Sequence, residues 1–211
     1  MSATVRTTAA ASQRRGRGGR ERVLAAAARL FAAQGINATG MEQIAEEAPV
    51  SKRTLYAHFR TKNDLVIAHL QGLVLSGATL EGVLTREDIP PRDRIRKLFD
   101  QPVADEAPAR GCPFIDAAAE FPDPQSAVHS YAREQKLRMV RLIADLVTEL
   151  GCRDPLVLAE QLATLADGAA SRAMVLDEPD YGRHARAAVE VLLDQALPPT
   201  SAAEPAPVRA R

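Results

Sequence analysis

Residues 39–59, Thr39-Gly-Met-Glu-Gln-Ile-Ala-Glu-Glu-Ala-Pro-Val-Ser-Lys-Arg-Thr-Leu-Tyr-Ala-His-Phe59, carry two short helical patterns separated by a tight break. Ile44, Ala45 and Ala48 fall on one side of the first pattern, and Leu55 and Phe59 on one side of the second. Thr39 and Glu42 have the spacing of a capping box at the start of the first helix. Pro49 ends that helix, because the residue before a proline is pushed out of the helical region. Ser51 is placed to cap the second helix, residues 52–59.

The flanking residues extend this unit. Residues 21–34 put Val23, Leu24, Ala27, Leu30 and Phe31 on one stripe, and Gly35 is placed to stop the helix. Thr61-Lys-Asn-Asp64 reads as the cap and first turn of a longer helix running toward Leu80. The remainder is helical by the same test. Residues 91–105 carry Ile95, Leu98 and Phe99 on one side, and Gly111-Cys-Pro-Phe114 opens a short helix toward Glu120. Phe121-Pro-Asp-Pro124 breaks the chain, residues 125–150 form a long stripe, and two further helices follow at about 155–177 and 181–197. No run alternates as a strand would, so the expected class is all-α.

Charge sharpens this division. The chain of 211 residues has 27 Lys/Arg and 27 Asp/Glu, which by their sum argue against a polyanionic partner. Residues 1–70, however, hold 11 basic and 5 acidic residues, a net of +6, and residues 71–211 hold a net of −6. A basic head can bind a polyanion while the acidic body keeps the whole soluble. Residues 1–19 read as a flexible arm with Arg14, Arg15 and Arg17, Arg20 following directly as a further arm arginine, and residues 198–211 as a disordered Pro/Ala-rich tail.

Other classes find little support. Two cysteines, Cys112 and Cys152, make neither a disulfide scaffold nor a four-thiolate zinc site, and read best as buried and inert. The four histidines lack metal-ligand spacing, and HExxH, GxSxG and GxGxxG are missing, so neither an enzyme nor a metal or cofactor is expected. Residues 1–22 lack the apolar core of a secretory signal, and no window of about 18 uncharged apolar residues is expected to span a membrane, which points to the cytoplasm.

Residues 21–65 strongly resemble the N-terminal DNA-binding domain of TetR-family transcriptional regulators. The matching stretches are Arg22-Val-Leu-Ala-Ala-Ala-Ala-Arg-Leu-Phe31, Gly35, Ala38-Thr39, Met41-Glu-Gln-Ile-Ala45, Val50-Ser-Lys-Arg-Thr-Leu-Tyr-Ala-His-Phe59 and Lys62. Two positions depart: Pro49 stands where the family usually has glycine, and Gly40 where Ser, Thr or Val is commoner. Proline cannot take a positive φ, so the turn before Val50 must follow another path.

The resemblance implies a three-helix helix-turn-helix domain, residues 20–66, followed by a larger antiparallel helical domain for effector binding and dimerisation, residues 67–197. It places base-reading side chains at Lys52, Arg53 and Thr54, near the start of the helix that enters the major groove. Thr39, Ser51, Tyr56, His58 and Lys62 are the implied phosphate contacts, with the arm arginines reaching further along the duplex. It implies a homodimer joined through helices 155–177 and 181–197 on a palindromic double-stranded operator, acting as a repressor released by a small molecule. Phe99, Phe114, Phe121, Tyr131, Met139 and Met174 are candidate effector-pocket residues. The competing reading is a helical ligand-binding or adaptor dimer without specific DNA binding.

Overall fold

The structure, a computed structural model, describes residues 18–77, 79–100, 111–177 and 182–197. Arg14, Arg15 and Arg17 of the expected arm, residues 101–105 of the expected helix 91–105, and the tail from 198 lie outside the described residues. Among those described there are ten helices and no strand. They are α1 (Gly19–Gln34), α2 (Met41–Glu47), α3 (Lys52–His58), α4 (Lys62–Leu75), α5 (Leu80–Leu84), α6 (Pro91–Lys97), α7 (Pro113–Glu120), α8 (Ala127–Glu149), α9 (Pro155–Leu176) and α10 (Gly182–Ala196).

The helices pack as two units. The first takes the chain through Thr79 together with Pro113–Gln135, and the second takes Leu80–Cys112 and the residues from Lys136 onward. This differs from the linear boundary expected at residue 66, because α7 and the start of α8 pack with the N-terminal helices.

In the first unit Val23, Ala27 and Phe31 of α1 are buried with Ile44, Leu55 and Leu65 of the next three helices. Gly35 ends α1 with φ +88°, and its N–H donates to Phe31 O at 2.9 Å. The capping box at Thr39 is not formed. Gly40 is the N-cap of α2 and offers no side chain, while the Thr39 hydroxyl donates to Gly35 O at 2.7 Å. At the turn after α2, Ala48 N donates to Ile44 O and Val50 N donates to Ala45 O at 3.0 Å. The second is the long closing bond of a Schellman-type stop, made here with no left-handed residue in the turn. Pro49 therefore removes one N–H from the motif and leaves the stop in place.

Helix α4 opens with a complete capping box, Thr61 and Asp64 each accepting the other's backbone N–H. It ends at Leu75 in a turn through Ser76 and Gly77 (φ +69°), short of the expected Leu80. The stretch 62–84 is long and apolar enough by composition alone to pass for a membrane span. Its Leu65, Val66, Ala68 and Leu70 are nevertheless buried within the first unit.

The second unit is built on α8, α9 and α10, whose Ile143, Val147, Leu162, Val189 and Leu193 form one core with Ile95 and Phe99. Helix α6 stops at Lys97, with Leu98 and Phe99 buried in the turn that follows. Arg92 and Arg96 of α6 converge on Glu190 of α10, Arg96 Nε donating at 2.6 Å and Nη2 at 2.9 Å. The paired guanidinium of Arg96 holds the Glu190 carboxyl down at about 2. The α9 and α10 bounds fall within a residue or two of the sequence expectation.

Candidate nucleic-acid interface

Helix α3 is seven residues long, too short to hold itself without help. Two features fix it. Leu55 is fully buried and Phe59 nearly so, anchoring its inner side. Ser51 Oγ accepts the Thr54 backbone N–H at 3.1 Å, supplying the cap expected from sequence. The Ser51 and Thr54 hydroxyls also lie 2.8 Å apart, so both polar groups at the start of α3 are already ordered.

The outer side of α3 carries Lys52, Arg53, Tyr56 and His58, all exposed, with Tyr56 at 47%. Lys52 Nζ is hydrogen-bonded to Glu42 Oε1 of α2, and this bond raises the ammonium above its usual pKa. Helix α1 begins close over the same surface: a Cβ on Gly19 would lie 3.1 Å from His58 Nε2 and 3.4 Å from Thr54 Cγ2. Arg20 belongs to α1 rather than to an arm, and its guanidinium lies 5.5 Å above the Phe59 ring.

Two expected phosphate contacts are differently placed. Thr39 is fully buried, and its hydroxyl is used by Gly35 O and by Gln34 Nε2 at 3.2 Å, so it presents nothing to a phosphate. Lys62 is half-buried, with Nζ donating to Asn37 O at 3.2 Å. Burial lowers its pKa, only partly offset by the charge of Glu120.

Sequence reading missed several residues that hold this surface. Arg22 Nε donates to Ala48 O at 3.3 Å, tying α1 to the turn before α3. Arg29 pairs with Glu47 at 2.8 Å. Glu120 accepts the backbone N–H groups of both Ile36 and Asn37. No periodicity or short motif marks these residues, because each partner is distant in the chain.

The candidate effector residues are divided between the two units. Phe114, Phe121 and Tyr131 belong to the first unit, and Phe99, Met139 and Met174 to the second. Phe99 and Met139 are core, Phe114 is buried, and Met174 is 37% exposed beside Gly111. Cys112 and Cys152 are half-buried, more open than the buried thiols expected.

A capped helix packed on its inner side, preceded by a tight turn and carrying basic and hydrogen-bonding side chains outward, defines a helix-turn-helix DNA-binding protein. Residues 23–69 match the family described as bacterial regulatory proteins, tetR family, and residues 91–189 match the tetracyclin repressor-like C-terminal domain. A TetR transcriptional regulator of Streptomyces avermitilis, known from a crystal structure, is similar at a TM-score of 0.72 and 30% identity, over 84% of this chain and 97% of that one. The HTH-type transcriptional regulator YjdC of Escherichia coli is 27% identical over 161 residues, 74% of this chain and 83% of YjdC. The HTH-type transcriptional activator FasR of Mycolicibacterium smegmatis is 46% identical over 52 residues, 25% of this chain and 24% of FasR. The chain belongs to the TetR family of bacterial transcriptional regulators, a family of DNA-binding regulators rather than enzymes.

Proposed function

We propose that this protein is a cytoplasmic repressor that binds a palindromic operator as a homodimer and is released by a small molecule. The observation that carries the reading is the outward side of α3, where Lys52, Arg53, Tyr56 and His58 are all exposed on a helix whose start is already ordered. Lys52, Arg53 and Thr54 read base edges, and Ser51, Tyr56, His58 and Lys62 bind phosphates. Thr39 has no part in this, being buried.

Pairing of two chains is supported by the outer faces of the last two long helices. Leu156, Val157, Met174, Val175 and Leu176 of α9 and Val191 of α10 are exposed, an unusual number of large apolar side chains for helices that face only water. Twofold pairing there gives two recognition helices, one for each half of a palindrome.

Selection of genomic duplex fragments by the purified protein tests the whole reading. A recovered palindrome, bound with an affinity that falls steeply with salt, is the expected result. Replacing Lys52, Arg53 and Tyr56 together should abolish enrichment. A protein that dimerises and binds a ligand but enriches no duplex is instead the adaptor of the competing reading.

A further inference from the structure

The turn between α1 and α2 is held by a residue from far along the chain. Glu120, the last residue of α7, directs Oε1 to the Ile36 N–H at 2.8 Å and Oε2 to the Asn37 N–H. Asn37 answers with Nδ2 donating to Glu120 O at 2.9 Å. The two successive amides reach one carboxylate in the turn after Gly35, whose φ of +88° and ψ of 167° take the chain off the end of α1 in a conformation that favours glycine. A side chain at position 35 would crowd the carboxylate, since a Cβ there would lie 3.3 Å from Glu120 Oε1.

This turn sets the start of the DNA-binding surface. Ile36 O accepts the Thr39 N–H at 3.1 Å and Gly35 O accepts the Thr39 hydroxyl at 2.7 Å, which fixes the residue before the N-cap of α2. Asn37 O accepts Lys62 Nζ at 3.2 Å, which ties in the first residue of α4. One carboxylate thus orders the end of α1, the entry to α2 and the ammonium of Lys62. Helix α7 follows directly on Cys112 of the second unit, and α8 leads back into that unit beyond Gln135, so the chain carrying Glu120 is joined to it on both sides.

We propose that Glu120 is a positioning residue for operator binding: its grip on the Ile36 and Asn37 amides keeps α2 and Lys62 in DNA-binding register, and its release lowers operator affinity. The proposal rests on the DNA-binding reading above and names a point at which α7 regulates that surface.

The test compares full-length wild type, Glu120→Gln and Glu120→Asp, with Asp123→Asn as a charge-matched control. Gln keeps the size of Glu but offers one acceptor where two N–H donors need two, and sets an NH2 against the second. Removing a negative charge from a DNA-binding unit would by electrostatics alone strengthen binding to a polyanion. Loss of positioning works in the opposite direction, so the sign decides. For Glu120→Gln we expect about tenfold weaker binding to the selected operator, within the usual range of coupling between sites. We also expect faster hydrogen exchange at the Ile36 and Asn37 amides. Asp123→Asn should show neither effect, and Glu120→Asp, the milder change, should show both effects to a smaller degree and carries the test should Gln prevent folding. Unchanged or tighter binding by the Glu120 variants overturns the proposal, as does weaker binding without faster exchange at those amides. Wild-type protein that selects no duplex overturns the regulator reading and the proposal with it. Wild-type binding with unaltered variants overturns the proposal alone.

Discussion

Lys52, the first residue of α3, has its ammonium hydrogen-bonded to Glu42 in the first turn of α2. Both side chains are more than half exposed, so the pair is screened by salt and opens readily. A base edge or phosphate that engages Lys52 competes with Glu42 for the charge of its ammonium. Glu42→Gln should therefore tighten operator binding by about two- to fivefold at low salt, with the gain shrinking as salt rises. Fluorescence-anisotropy titrations across a salt series measure this, and weaker binding by the variant would count against Lys52 as a DNA contact.

Ser51 caps α3 through the Thr54 N–H and orders the Thr54 hydroxyl 2.8 Å away. Ser51→Ala removes both interactions. The expected loss of stability is about 1 kcal/mol, typical for an N-cap. Urea unfolding should show a lower midpoint with an unchanged slope. Operator binding should weaken as well, since Thr54 is among the proposed base contacts.

Glu190 gains stability from Arg96 and Arg92, which hold its carboxyl at about 2 against an ordinary 4.5. A depressed folded-state pKa means that the stabilisation is complete above about 4.5 and is lost as pH falls toward about 2. Glu190→Gln should cost about 1–2 kcal/mol near neutral pH, less than the shift alone implies because about a third of each side chain faces water. The wild-type advantage should shrink steadily from about pH 5 toward about pH 2 in thermal denaturation followed across pH.

Glu81 shows the opposite sign. Its residue is only 5% exposed, and burial pushes the carboxyl above its ordinary 4.5, partly opposed by Arg138 at 3.3 Å and by Lys136. A raised folded-state pKa contributes stability below about 4.5 that is lost as pH rises through the folded value. The neutral Glu81→Gln should thus be about 0.5–1 kcal/mol more stable than wild type near pH 7, with the difference closing in acid. The half-exposed Arg138 stays solvated when its partner is removed. A lower melting temperature for the variant at pH 7 would show that the ion pair outweighs the burial penalty.

Much of the fold was legible in the order of residues. The Ser51 cap, the Thr61–Asp64 box, the stop at Gly35, and the bounds of α9 and α10 all depend on residues within a turn or two of each other. Such interactions leave spacings that can be read directly. Thr39 misled for an instructive reason. Its spacing to Glu42 suits a capping box, but the bend at Gly35 brings a carbonyl within 2.7 Å of its hydroxyl, and Glu42 turns instead to Lys52. Two local options competed, and the one that also buried Thr39 prevailed.

The sequence by itself determined an all-α fold, the short helix capped by Ser51 and the family to which the chain belongs. Tertiary structure alone decided that α7 packs with the N-terminal helices, that Lys52 and Lys62 begin already partnered, and that Glu120 holds the turn at Ile36. Helical periods and caps are written within a few residues of the chain. The Glu120–Ile36 bond joins groups 84 positions apart, and only the packed fold brings them to hydrogen-bonding distance.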